Sequence, residues 1–104
     1  MSRYLHSLLK AIDFHVPSGL ANPEIKNLSC DSRKIEKGDL FLGLEGEKVD
    51  GGTYWAKAIE RGACAAIISK KASLLNPPTN EDPVVILPEP VSLFMGKLLS
   101  LIHI

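Results

Sequence analysis

Residues 30–52 read CDSRKIEKGDLFLGLEGEKVDGG, and the parsing of this stretch decides the fold. It holds five of the chain's eight glycines around one short apolar run, Leu40–Leu44. That run has strand length and no polar alternation, which predicts a strand buried on both faces. Gly38-Asp39 turns the chain into it. Beyond it, Thr53 can cap a helix over Tyr54–Arg61, with Tyr54, Trp55, Ala58 and Ile59 as the inner face and Gly62 as the C-terminal stop. CAAIIS follows at once as a second buried strand. Strand 40–44, helix 54–61 and strand 64–68 therefore make a βαβ unit, right-handed by the general rule for parallel crossovers.

Outward from this unit the pattern continues. Tyr4, Leu5, Leu8, Leu9 and Ile12 fall at helical spacing, which predicts a helix over 3–13 with Ser2 as its N-cap. Pro17, Gly19 and Pro23 mark a loop, and Ile25–Cys30 reads as a short strand. KKASLLNPPTNEDP (70–83) is expected to be a polar surface linker, opened by Lys70-Lys71 as a solvated strand exit. VVIL (84–87) is the last strand. From Pro90 onward Val91, Phe94, Met95, Leu98 and Leu99 recur at helical intervals. The expected fold class is α/β: a small mixed or parallel sheet of about four strands with flanking helices. Ligands of such sheets sit beyond the carboxyl ends of the strands, so the loops after Cys30 and after Leu44 are the candidate ligand loops.

A chain of 104 residues suits a single domain (1–104) with its own core. Lys plus Arg and Asp plus Glu balance at 12 each, so no global field draws it to nucleic acid or an anionic membrane. Any anion site must be local. The N-terminal apolar run is broken by Arg3, Lys10 and Asp13, too short and too polar for a signal peptide or membrane span. Cys30 and Cys64 are in no metal-binding spacing and read as buried free thiols of a cytoplasmic protein.

The tail of the opening stretch comes close to a phosphate-binding loop. Gly46, Gly51 and Thr53 fall in the register of G-x-x-x-x-G-K-[ST], but Gly52 stands where the lysine belongs and Asp50 adds a negative charge. ATP hydrolysis is not expected here. Two readings stay open: a glycine-rich connection into a helix, or backbone donors at the Thr53 helix start serving a diphosphate, with Lys48 as the nearby cation. Asp31-Ser32-Arg33 likewise either braces its loop through Asx and ST hydrogen bonds or offers the Ser32 hydroxyl to a heterocycle or sugar. Nothing positions His6, His15 or His103 to activate Cys30 or Ser32, and none pairs with another ligand at metal-binding spacing. No catalytic residue and no metal site are therefore assigned. The helical spacing of Tyr54 and Trp55 favours core packing over stacking on a base.

Asp31-Ser32-Arg33, Gly38-Asp39-Leu40-Phe41, Gly46, Asp50-Gly51, Ala58 and Gly62-Ala63, taken in order over roughly 25–97, resemble the N-terminal domain of the Mur ligases. The spacing is most similar to the MurE-type branch, the UDP-N-acetylmuramoyl-tripeptide synthetases; the MurF-type branch shares much of it. The resemblance implies a domain that performs no chemistry and holds the UDP end of a UDP-N-acetylmuramoyl-peptide, while ATP and magnesium are bound by other domains. It implies contacts at Cys30 and Ser32 beside the uracil and a second patch at Gly46, Glu47, Lys48 and Val49. Asp31, Arg33, Asp50, Gly51 and Thr53 would support the two loops. Gripping a distant, unreactive handle uses remote binding energy to position the reacting carboxylate.

Two departures accompany the resemblance. The central ATP-binding domain with its Gly-Lys-Thr loop and the C-terminal domain are missing, and after Lys97 the chain reads LLSLIHI where the family has an alanine-rich stretch. The expectation is a fragment, or a chain whose residues 98–104 are not the native continuation. It would be inactive alone, with the missing ligase domains as its partners. The competing expectation is a non-enzymatic α/β module that docks a partner through its C-terminal apolar helix.

Overall fold

A computed structural model describes residues 4–45, 50–88, 90–94 and 96–97. Helix α1 (Leu5–Ala11) is followed by strands β1 (Leu28–Ser29) and β2 (Leu40–Leu42). A 3-10 turn (Gly51–Tyr54) runs into α2 (Trp55–Glu60); β3 (Ala65–Ser69), α3 (Lys70–Leu75), β4 (Val84–Leu87) and a second 3-10 turn (Val91–Phe94) complete the order. The four strands form one parallel sheet in the order β1-β2-β3-β4. Leu40 lies opposite both Leu28 and Ala65, and Ile67 opposite Val85.

The central strands β2 and β3 are covered on both faces, which is why they lack polar alternation, whereas the edge strand β4 leaves Ile86 exposed. Leu40, Leu42, Ala65, Ile67, Val85 and Leu87 face one core with Leu5, Leu8 and Leu9 of α1 and with Ile12 just past its end. Phe41, Ala66 and Ile68 point the other way, against Trp55 and Ala58 of α2 and Ala72 of α3. One strand thus feeds two cores from alternate residues. Fully burying a leucine or phenylalanine side chain contributes ~2–3 kcal/mol, and Phe41, Leu40 and Leu42 are all at or below 1% exposure.

Several expectations are corrected. Only Leu28 and Ser29 of the 25–30 segment pair as a strand, although Ile25 is fully buried. Helix α1 starts after Tyr4, which gives no side-chain cap; Ser2 lies outside the described residues. The expected linker at 70–83 opens as α3, because the Ser69 side chain accepts from Ala72 N–H and caps it. Lys70 and Lys71 are exposed but belong to that helix. The α2 segment is capped by Asp50 and not by Thr53: the Asp50 carboxylate accepts from Gly52 N–H. Its stop is as expected, with Gly62 at φ +118° donating to the Ile59 carbonyl. After Pro90 the described residues form a 3-10 turn with Gly96 and Lys97 helical; Met95, Leu98 and Leu99 lie outside them. No described helix is long and apolar enough to cross a membrane.

Candidate functional site

Past the carboxyl end of β1 the chain enters a tight braced turn. Asp31 Oδ1 accepts from the Arg33 backbone N–H at 2.9 Å and from Arg33 Nε at 3.1 Å, and Oδ2 accepts from Nη2 at 3.3 Å. The Arg33 side-chain bonds, then its backbone N–H, hold the Asp31 carboxyl below the usual carboxylate range and raise the guanidinium further. The same turn takes the Asp31 N–H to Ser29 Oγ and the Lys34 N–H to the Asp31 carbonyl. The structural reading of Asp31 and Arg33 is therefore correct. It leaves Ser32 half-buried at the tip, with no side-chain hydrogen bond among the described residues.

This turn forms one wall of a cleft of about 990 Å³. It is lined by Leu28, Ser29 and Phe41 of the sheet, by Cys30–Arg33 of the turn, and by Gly51, Tyr54, Lys57 and Arg61 of the α2 segment. Cys30 is exposed rather than buried, because it follows a two-residue strand at the edge of the sheet. Even so, desolvation by neighbouring atoms pushes its thiol pKa up. Cys64 is half-buried, free, and likewise raised by desolvation.

The second candidate loop, Gly46, Glu47, Lys48 and Val49, lies outside the described residues. Its two ends are described, and both are pinned. Glu45 and Asp50 form an antiparallel bridge, and Gly51 N–H donates to the Leu44 carbonyl at 2.8 Å. The Glu45 carboxylate accepts from Val91 N–H at 2.6 Å and from Ser92 N–H at 3.4 Å. Asp50 is buried and faces inward, so its charge does not point at the cleft. Thr53 is turned to the backbone as well, its hydroxyl donating to the Asp50 carbonyl at 2.8 Å.

Gly52, at the position of the missing lysine, is buried. A Cβ there would meet the Ala72 Cβ at 2.8 Å, and a Cβ on Gly43 would run into the Gly52 backbone. The glycine pair lets the turn cross the end of β2 at backbone contact. A lysine side chain, and with it the charge that a triphosphate requires, does not fit. Among the described residues no three His, Cys, Asp or Glu side chains gather as metal ligands.

Tyr54 corrects the sequence reading most directly. Trp55 packs in the core as expected, its Nε1 donating to the Asn76 carbonyl at 2.7 Å. Tyr54 is 43% exposed and lines the cleft. The 3-10 turn ends at Tyr54, and its tighter winding rotates this residue away from the inner face of α2. Lys57 and Arg61 were also missed. Their signal was present in the spacing 54, 57, 61, one stripe on a helix surface.

A profile described as Mur ligase family, catalytic domain, matches residues 24–102. A UDP-N-acetylmuramoyl-L-alanyl-D-glutamate--2,6-diaminopimelate ligase of Prochlorococcus marinus (strain NATL1A) is 92% identical over 98 residues, which cover 94% of this chain and 19% of the relative. The protein of the same name from Synechococcus sp. (strain WH7803) is 45% identical over 100 residues, 96% of this chain and 20% of the relative. Among solved structures, a crystal structure of MurF from Acinetobacter baumannii superposes with a TM-score of 0.64 at 25% identity, covering 94% of this chain and 20% of that one. The chain thus spans about one-fifth of the length of the relatives it matches.

Proposed function

The chain belongs to the Mur ligase family, and on that premise we propose that it is the N-terminal, UDP-substrate-binding domain of a MurE-type ligase of peptidoglycan biosynthesis. The parent enzyme would join 2,6-diaminopimelate to UDP-N-acetylmuramoyl-L-alanyl-D-glutamate in the cytoplasm, as the names of the sequence relatives describe for those proteins. The carrying observation is the cleft beside the carboxyl end of β1. Cys30 and Ser32, which the family resemblance implies as nucleotide contacts, both line it.

The residues suit holding better than reacting. Asp31 and Arg33 satisfy each other and fix the turn, so the Ser32 hydroxyl and the neighbouring backbone are presented in a set geometry. A heterocycle edge needs such a donor–acceptor hydroxyl and an aromatic or apolar surface, and Tyr54 supplies the latter. The loop at 46–49, pinned at both ends, would add backbone contacts. The crowding at Gly52 excludes the lysine of a triphosphate loop, which supports assigning ATP and magnesium to the remainder of the parent enzyme. Its central and C-terminal domains are the partners of this chain. The division of labour places substrate-handle binding far from the acyl-phosphate chemistry, where it positions the reacting carboxylate.

Titration of the 104-residue chain with UDP, followed by amide chemical shifts, tests the reading. Shifts should concentrate at 30–33, 46–51 and Tyr54. Ser32→Ala should weaken binding by about 1 kcal/mol, the worth of one hydrogen bond, and leave the unfolding midpoint unchanged. Folded protein with no shifts at millimolar UDP would exclude the proposal. If concentration-dependent self-association replaced any nucleotide response, the docking-module reading would take its place.

A further inference from the structure

The helical wall of the cleft carries a charge that the loop wall does not use. Tyr54, Lys57 and Arg61 line the cleft from one stripe of the α2 segment. Arg33, on the facing wall, is committed to Asp31 at 3.1 Å. Among the described residues neither Lys57 nor Arg61 has a carboxylate partner; the ion pairs found there are Arg33–Asp31 and Lys97–Asp13. Glu60 shares a separate shallow depression with both cations but does not line the cleft. Arg61 reaches across only to the Arg33 carbonyl, at 3.4 Å. In a chain whose formal charge sums to zero, this is a local positive surplus beside an exposed aromatic ring.

Resting on the reading of the cleft as a nucleotide site, we propose that Lys57 and Arg61 hold the diphosphate, with Tyr54 against the ribose or base edge. The two walls then divide the ligand. Cys30 and Ser32 take the uncharged heterocycle, and α2 takes the charged bridge. An arginine and a lysine four residues apart on one helix face present separated donors to successive phosphates, with the guanidinium able to engage two oxygens at once. The cations are solvent-exposed, so the attraction is screened and must weaken as salt rises.

The test compares UDP, uridine and inorganic pyrophosphate on the wild-type chain and on Lys57→Gln/Arg61→Gln, at low and at physiological ionic strength. Lys71→Gln, an exposed lysine on α3, controls for loss of bulk charge. The expected result is a drop on the order of tenfold in UDP affinity for the double variant. Uridine should stay within about twofold, pyrophosphate competition should disappear, and Lys71→Gln should change none of these. UDP affinity equal to wild type in the double variant would overturn the phosphate assignment and leave the nucleotide reading standing. Parallel loss of UDP and uridine would overturn it too, since the cations would then be shaping the cleft rather than reading phosphate. A wild-type chain that binds neither UDP nor uridine removes the nucleotide reading itself, and this assignment with it.

Discussion

Ser69 Oγ donates to the Asp50 carboxylate at 2.7 Å, and both residues are buried. The contact joins two helix starts. Asp50 caps the turn into α2 by accepting from Gly52 N–H at 2.8 Å, and Ser69 caps α3 by accepting from Ala72 N–H at 3.1 Å. Asp50 also bridges Glu45 through its backbone, so one residue joins the base of the 46–49 segment, the helix behind it and the helix beyond β3. Asp50→Ala leaves two buried groups, the Gly52 N–H and the Ser69 hydroxyl, short of a partner and should destabilise by about 3 kcal/mol. Ser69→Ala removes a cap and a hydrogen bond and should cost about 1–2 kcal/mol. Urea unfolding of the two variants and their combination should show a double-variant loss well below the sum, since both changes break the same contact.

Gly52→Lys restores the residue that a phosphate-binding loop would have, and it should fail on packing. The added side chain meets Ala72 and Ile68 at a buried position. Overpacking of this kind costs about 1–3 kcal/mol, and the ammonium must also leave water. The variant should melt below wild type and show no affinity for ATP. An unchanged melting point together with ATP binding would mean that the turn is a damaged triphosphate loop after all.

The layered fold was readable because a strand buried on both faces leaves an unbroken apolar run: LFL and AAIIS, buried throughout, form β2 and β3, while VVIL forms β4 with Ile86 exposed. Helix α3 was not readable for the opposite reason. It is six residues long and turns only Ala72 fully inward, leaving Leu74 and Leu75 exposed, so it carries no apolar stripe and NPP follows it. Its cap, Ser69, was hidden as the last residue of an apolar run. The loop wall of the cleft was legible through Asp31-Ser32-Arg33, a local turn motif. The helical wall was not, because periodicity alone assigned Tyr54 to the core, and only the 3-10 winding before α2 shows which way it faces.

Glu45 sits at the other end of the 46–49 loop and ties it to the segment that follows β4. Its carboxylate accepts from Val91 and Ser92 N–H groups, the free donors at the start of that 3-10 turn. Glu45→Gln keeps an acceptor oxygen and should cost under about 1 kcal/mol, whereas Glu45→Ala should cost about 1–2 kcal/mol. The informative readout is local. In Glu45→Ala, amide exchange at Val91 and Ser92 should accelerate strongly, while exchange in β3 keeps its protection. Uniform acceleration across the sheet would show a merely global loss and sink the idea of a local tie.

Cys30 offers a chemical probe of the cleft. It is the more exposed of the two cysteines and lines the loop wall, but desolvation holds its pKa above the ordinary thiol range. The thiolate is the reactive form, so alkylation by iodoacetamide at pH 7 should be slow for so exposed a residue. Its rate should rise through an inflection above the value of about 8.5 expected for the denatured chain. The sign for stability follows: a thiol whose pKa is raised on folding contributes stability that is present below the unfolded pKa and is lost as pH rises through the folded one. Saturating UDP should slow modification of Cys30 on the order of tenfold by excluding the reagent, with Cys64 unaffected because it lies outside the cleft. If mass spectrometry shows Cys30 labelled at the same rate with and without bound UDP, the nucleotide does not rest against this turn, and the heterocycle contact must be sought along the 46–49 loop instead.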